Sequence, residues 1–151
     1  MTQDVAELIQ RAAEAASALI RGDARAYFTL LPHADDYTLM APFGGELRRG
    51  VDTSTETLDA LASYFQGGEA EFEVVQSYTS PELVVLVVIE RQHGKVGGLP
   101  EQDLSLRVTL VFRRGDSEWQ LVHRRADPLV HPISEDELGA LLRGDRGPAT
   151  P

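Results

Sequence analysis

The chain has 151 residues, of which 42% are hydrophobic, with a net charge of −10 and no cysteine. That length suits one domain with a single core, and the acidity opposes nucleic acid and anionic membranes as partners. The lack of thiols excludes disulfides and thiolate metal sites and fits a reducing, cytoplasmic location.

No apolar run approaches the roughly 20 residues of a membrane helix. The opening MTQDVAELIQ has no basic region leading into an apolar segment, so no secretory signal is expected. Val5, Leu8, Ile9, Ala12, Ala16, Leu19 and Ile20 recur at three- and four-residue spacing. They predict an amphipathic helix over 4–21, capped by Asp4 with Glu7 three residues on and ended by Gly22. Asp23 reads as the cap of a second helix, Ala24 to Leu31, closed by Pro32. A short strand, Tyr37 to Ala41, follows the polar break His33 to Asp36, and Pro42, Gly44, Gly45 and Gly50 make a loop. A third helix is expected from Asp52–Ser54 to Gln66, stopped by Gly67 and Gly68.

From Glu69 the period changes to two, with Phe72, Val74 and Tyr78 on one face of a half-buried strand. Leu83 to His93 is a strand apolar on both faces for most of its length, and Gly94 to Gln102 is a loop. Leu104 to Pro128 is a long antiparallel hairpin. By alternation Trp119, Leu121, His123 and Arg125 share one of its faces, with Arg107, Thr109 and Val111 opposite them. Leu104, Leu106, Val108, Leu110 and Phe112 share the other face with Val122, Arg124 and Ala126. The two strands disagree about which side is core, which predicts a bulge or a sheet buried on both sides. Ser134 and Glu137 form a capping box before a short helix carrying Leu138, Leu141 and Leu142. Residues 1–143 are expected to form one domain and 144–151 a flexible tail.

Helices segregated from a meander of strands mean an α+β fold: a strongly curved, mostly antiparallel sheet with three N-terminal helices on its concave face. The space between them is the natural place for a ligand. Three stretches carry a family resemblance. They are RGDARAYFTLL followed by ADDYTLMAPFG, IERQHGKVGGLP followed by LRVT, and TLVFRRGDSEWQLVHRRAD. Over residues 4–128 the chain resembles the nuclear transport factor 2-like superfamily, which includes SnoaL-like proteins, ketosteroid isomerase, scytalone dehydratase and the association domain of calcium/calmodulin-dependent kinase. The resemblance implies a cystatin-like cone and a homodimer formed through the sheet. It is a poor guide to activity, since members include enzymes, binding modules and oligomerisation domains. Ketosteroid isomerase needs a general-base Asp and two oxyanion donors; the matching positions here hold Ala41, Ala15 and Val108. Those side chains can neither move a proton nor hold an enolate.

His123, between an arginine such as Arg107 and the carboxylate of Asp127, is a candidate general base or anion ligand. Alternatively, this face packs on a second subunit. If the other face is concave, Arg124 would be a lone charge in an otherwise apolar pocket. Tyr27, Met40, Phe43, Tyr64, Tyr78 and Trp119 are the candidate ligand-binding residues, although most tyrosines of this kind are core residues with a satisfied hydroxyl. Glu90 is placed to pair with Arg107 across the sheet, by default as a surface ion pair. His33, His93, His123 and His131 have no metal-ligand spacing, and no metal or cofactor is expected. The expected function is binding of a small apolar molecule, with or without cofactor-free dehydratase, cyclase, hydrolase or isomerase chemistry. The alternative is an oligomerisation module with a vestigial pocket.

Overall fold

A computed structural model describes residues 4–145. Three helices come early: α1 (Val5–Ile20), α2 (Ala24–Leu30) and α3 (Thr55–Tyr64). The strands are β1 (His33–Met40), β2 (Arg48–Arg49), β3 (Phe65–Thr79), β4 (Leu83–Val96), β5 (Gln102–Asp103), β6 (Leu106–Arg114) and β7 (Trp119–Pro128). A fourth helix, α4 (Glu135–Leu142), follows the sheet, so four helices are described rather than the three N-terminal ones alone. Its capping box is formed as the sequence predicts, yet it buries no residue. Of the expected C-terminal tail, residues 146–151 lie outside the described residues.

The strands form one sheet in the order β2-β1-β7-β6-β4-β3, with β5 on β4. Every pairing is antiparallel except β1 with β7. On its inner face Val84, Leu86 and Val88 of β4 meet Val108, Leu110 and Phe112 of β6, all at most 3% exposed. Helix α1 lies against β3 and β4, α2 against α1, and α3 against β3 and α2.

Two bulges decide which side chains face inward. In β7 the partner of Val111 is His123 and that of Phe112 is Leu121, so Val122 is the extra residue. Trp119 and Leu121 before the bulge, and Arg124 and Ala126 after it, therefore share the inner face, while His123 and Arg125 turn outward. This corrects the expected grouping of Trp119 and Leu121 with His123 and explains why the two strands disagreed. In β3 the register shifts between Val74 and Gln76, so Phe72 pairs on the inner side and Tyr78, opposite Val85, on the outer.

Other boundaries differ for local reasons. Strand β1 begins at His33, not Tyr37, because its pairing with β7 already starts opposite Leu121. Helix α3 ends at Tyr64, and Gly67 and Gly68 belong to β3 rather than to a helix stop. A Cβ on Gly68 would lie 2.3 Å from the His93 carbonyl oxygen, so glycine here serves close strand packing. The stop after α1 is as predicted. The Gly22 amide bonds the Leu19 carbonyl and the Asp23 amide that of Ala18, each at 2.9 Å, a Schellman turn with Gly22 at φ +88°.

A Cβ on Gly22 would also meet the Phe65 carbonyl oxygen at 2.6 Å. Gly22→Ala should therefore destabilise the chain by about 2 kcal/mol or more, through left-handed strain plus that clash. Urea unfolding checks this; an unchanged midpoint would contradict the tight approach of the α1–α2 turn to the end of α3.

Candidate functional site

Between the helices and the inner face lies a cavity of about 1070 Å³. Its walls are mainly apolar, with Ala16, Leu19, Phe28, Leu39, Phe72 and Leu110 among the lining residues. One part of the wall is polar, formed by Tyr27 of α2, His33 and Tyr37 of β1, Glu90 of β4 and Arg124 of β7.

Glu90 continues the inner row of Val84, Leu86 and Val88 and is 4% exposed. Arg124 reaches it because the Val122 bulge turns that residue inward. The guanidinium donates to both carboxylate oxygens, Nη1 to Oε2 at 2.7 Å and Nη2 to Oε1 at 2.9 Å. The side chains are 17% and 6% exposed, so this is a buried, two-pronged ion pair. Burial works against the Arg124 charge, but the Glu90 carboxylate more than offsets it and holds the guanidinium protonated. Arg124 is thus not the lone charge expected at this position. Nor does Glu90 pair with Arg107, which stands opposite Ile89 on the outer face.

His33 lies edge-on to Tyr27, Phe28 and Tyr37, with ring centroids 5.5, 5.0 and 4.5 Å away. Its Nδ1 is 2.7 Å from the Leu31 carbonyl oxygen. A carbonyl only accepts, so Nδ1 carries the proton and Nε2 of the neutral ring keeps its lone pair. Burial pushes this imidazole below its usual range; the Leu31 bond opposes that and Arg124 adds to it. Burial pushes the Tyr27 hydroxyl up, against Arg124 and with Glu90. Tyr37 is likewise raised by burial, with Tyr27 adding and Arg124 opposing. At neutral pH the wall therefore offers two hydroxyl donors and one imidazole acceptor around a neutralised ion pair.

The other sequence candidates divide between the faces. Phe43 and Tyr64 line the cavity with Tyr27. Met40 does not, because it is Leu39 that points in. Tyr78, 59% exposed, sits on the outer side beyond the Val75 bulge. Trp119 is core, with the Arg114 guanidinium 4.7 Å from the ring centre. His123, Arg107 and Asp127 lie on the outer face, away from the cavity. There the His123 Nδ1 and the Thr38 hydroxyl share a 2.8 Å hydrogen bond, and Arg125 lies 3.4 Å from Asp127. Ala41 lines the cavity, while Ala15 and Val108 are buried. Asp52, also on the lining, has its carboxyl held below the usual range by the Ser54 amide and the Thr57 hydroxyl at the start of α3. Among the described residues no group of three or more His, Asp or Glu is placed to hold a metal, and no helix is long and apolar enough to cross a membrane.

Sequence reasoning missed His33 and Tyr37 and put Glu90 on the surface. A signal for Glu90 was present: it prolongs, at period two, the row Val84, Leu86, Val88.

This architecture, a curved sheet wrapped on helices around a cavity, is that of the nuclear transport factor 2-like superfamily. A family model described as SnoaL-like domain matches residues 5–128, and the chain belongs to that family. Among solved structures it is similar to an S. rosetta CaMKII hub, with 15% identity, 85% of this chain and 98% of that one covered, and a TM-score of 0.66. An NTF2-like protein from Rhodospirillum rubrum is 21% identical over 85% of this chain and 100% of its own, with a TM-score of 0.60. A protein with a cystatin-like fold from Caulobacter vibrioides is 18% identical, covering 91% and 97%, also at 0.60. At these identities the likeness establishes the fold alone. No curated protein matches the chain at a significant level.

Removing one partner of a buried ion pair leaves a charge with no counterpart, a loss of about 3–5 kcal/mol, whereas replacing both by apolar residues is often neutral. Glu90→Leu alone should destabilise by that amount, and Glu90→Leu with Arg124→Met should recover most of it in urea unfolding. A neutral single variant would contradict the burial of the pair.

Proposed function

We propose that residues 1–143 form one SnoaL-like domain that binds a small, mostly apolar molecule in the cavity and acts on it without a cofactor. The observation that carries this is the polar wall. A pocket that only filled space would need no carboxylate and guanidinium at 2.7 Å beside an imidazole and two tyrosines. The cavity volume suits a drug-sized ligand, and clustered titratable groups inside an apolar cavity mark a site for proton chemistry. Dehydration, cyclisation, hydrolysis and isomerisation are the reaction types within reach of such groups. The ketosteroid isomerase route is not, because Ala41, Ala15 and Val108 stand where its groups would be.

A second role rests on the outer face. Val85, Val87, Ile89, Val111 and Val122 are only half-buried there, among His123, Arg107 and Arg125. Such a face suits the sheet of a second copy, and a structural neighbour is itself named a hub. We propose a homodimer through this face, compatible with a working cavity on the other.

Native mass spectrometry of the purified protein should reveal a small-molecule adduct lost on mild activation; no adduct, and no thermal shift with apolar compounds, would contradict binding. Light scattering at micromolar concentration should give twice the 16.6 kDa chain mass; a monomer mass would exclude the dimer.

A further inference from the structure

The polar wall has a specific hydrogen-bonding polarity. Tyr27 and Tyr37 are 8% and 5% exposed, yet neither hydroxyl has a hydrogen-bond partner among the described residues. The same holds for His33 Nε2, since the ring's one bond is made by Nδ1. No sealed side-chain nitrogen or oxygen among the described residues lacks a partner, so these three atoms keep access to open space. All three residues line the cavity. Buried polar groups in native proteins have partners, and for these three the remaining partner is whatever occupies the cavity.

Of the charged groups near this wall, Arg124 and Arg11 have partners; Arg48 and Arg49 of β2, also on the cavity lining, are exposed and hydrated. Arg124 is taken up by Glu90, and Arg11 of α1 donates to the carbonyls of Thr29 and Leu30. An anion entering here would compete with Glu90 for Arg124 and gain little.

Resting on the binding function above, we propose that the cavity selects a neutral, hydroxyl-bearing apolar molecule such as a phenol, an enol or an alicyclic alcohol. Its hydroxyl donates to His33 Nε2 and accepts from Tyr27 or Tyr37. One hydroxyl satisfies both requirements, and the three rings belong to one stretch of cavity wall, with the His33 ring centre 4.5 Å from that of Tyr37 and 5.5 Å from that of Tyr27. The apolar remainder lies along Leu19, Phe28, Leu39 and Phe72.

The test uses three probes with one ring system: naphthalene, 2-naphthol and 2-naphthoate, followed by ¹H–¹⁵N shifts of labelled protein. At pH 7, 2-naphthol should bind at least about five- to tenfold more tightly than naphthalene, the net gain of a single hydrogen bond, and 2-naphthoate more weakly than 2-naphthol. The preference should persist through the ordinary imidazole range of about 6.5 and fade only at lower pH, because burial lowers the His33 pKa and its imidazolium has no lone pair to offer. The groups near it on the packed elements are Tyr27, Tyr37, Arg124 and Glu90, and none of them gains an acceptor on acidification. His33→Asn keeps a donor for the Leu31 carbonyl while its Oδ1 falls short of the Nε2 position, so it should lose most of the preference for 2-naphthol over naphthalene. Equal affinity of the wild type for those two, or tightest binding of 2-naphthoate, would overturn the inference while leaving cavity binding intact. No shift with any probe would overturn the binding function itself.

Discussion

Glu90 stands in a row of buried side chains, and the Arg124 guanidinium is what makes that position tenable. An isolated carboxylate there would face a desolvation penalty of several kcal/mol. The pair forms because a single extra residue, Val122, rotates the end of β7 by half a turn of the pleat. Without the bulge His123 would face the helices and Arg124 the outside, and Glu90 would lose its counter-charge. One register shift thus sets the electrostatics of the polar wall.

The same shift separates the residues of the two proposed roles. The inner face keeps a neutralised charge pair, two hydroxyls and an imidazole in an apolar enclosure, where hydrogen bonds to a guest are not diluted by water. The outer face keeps His123, Arg107, Arg125 and Asp127 among half-buried valines, a mixture suited to contact with another protein surface. The proposed ligand binding and the proposed self-association therefore draw on different residues.

Much of the fold was legible because it is written in periodicity and caps. The spacing from Val5 to Ile20, the Asp4 and Asp23 caps, the Gly22 stop and the Ser134–Glu137 box all act locally. The site was less legible, because it depends on facing, and a bulge reverses facing without altering composition. Alternation alone grouped His123 with Trp119 and Tyr78 with Phe72, and both groupings failed at an inserted valine. His33 was hidden differently. Its role comes from the Leu31 carbonyl two residues back and from rings on α2 and β1, contacts that no spacing rule encodes.

The proposed site depends on a neutral His33 with a free Nε2 lone pair, kept neutral chiefly by burial, with the nearby Arg124 charge acting in the same direction. Two-bond ¹H–¹⁵N correlations of the histidine rings in labelled protein at pH 7 test this directly. The predicted pattern is that of a neutral ring protonated at Nδ1, with Nε2 at the shift of an unprotonated nitrogen. A ring protonated at Nε2, or an imidazolium, would contradict the account.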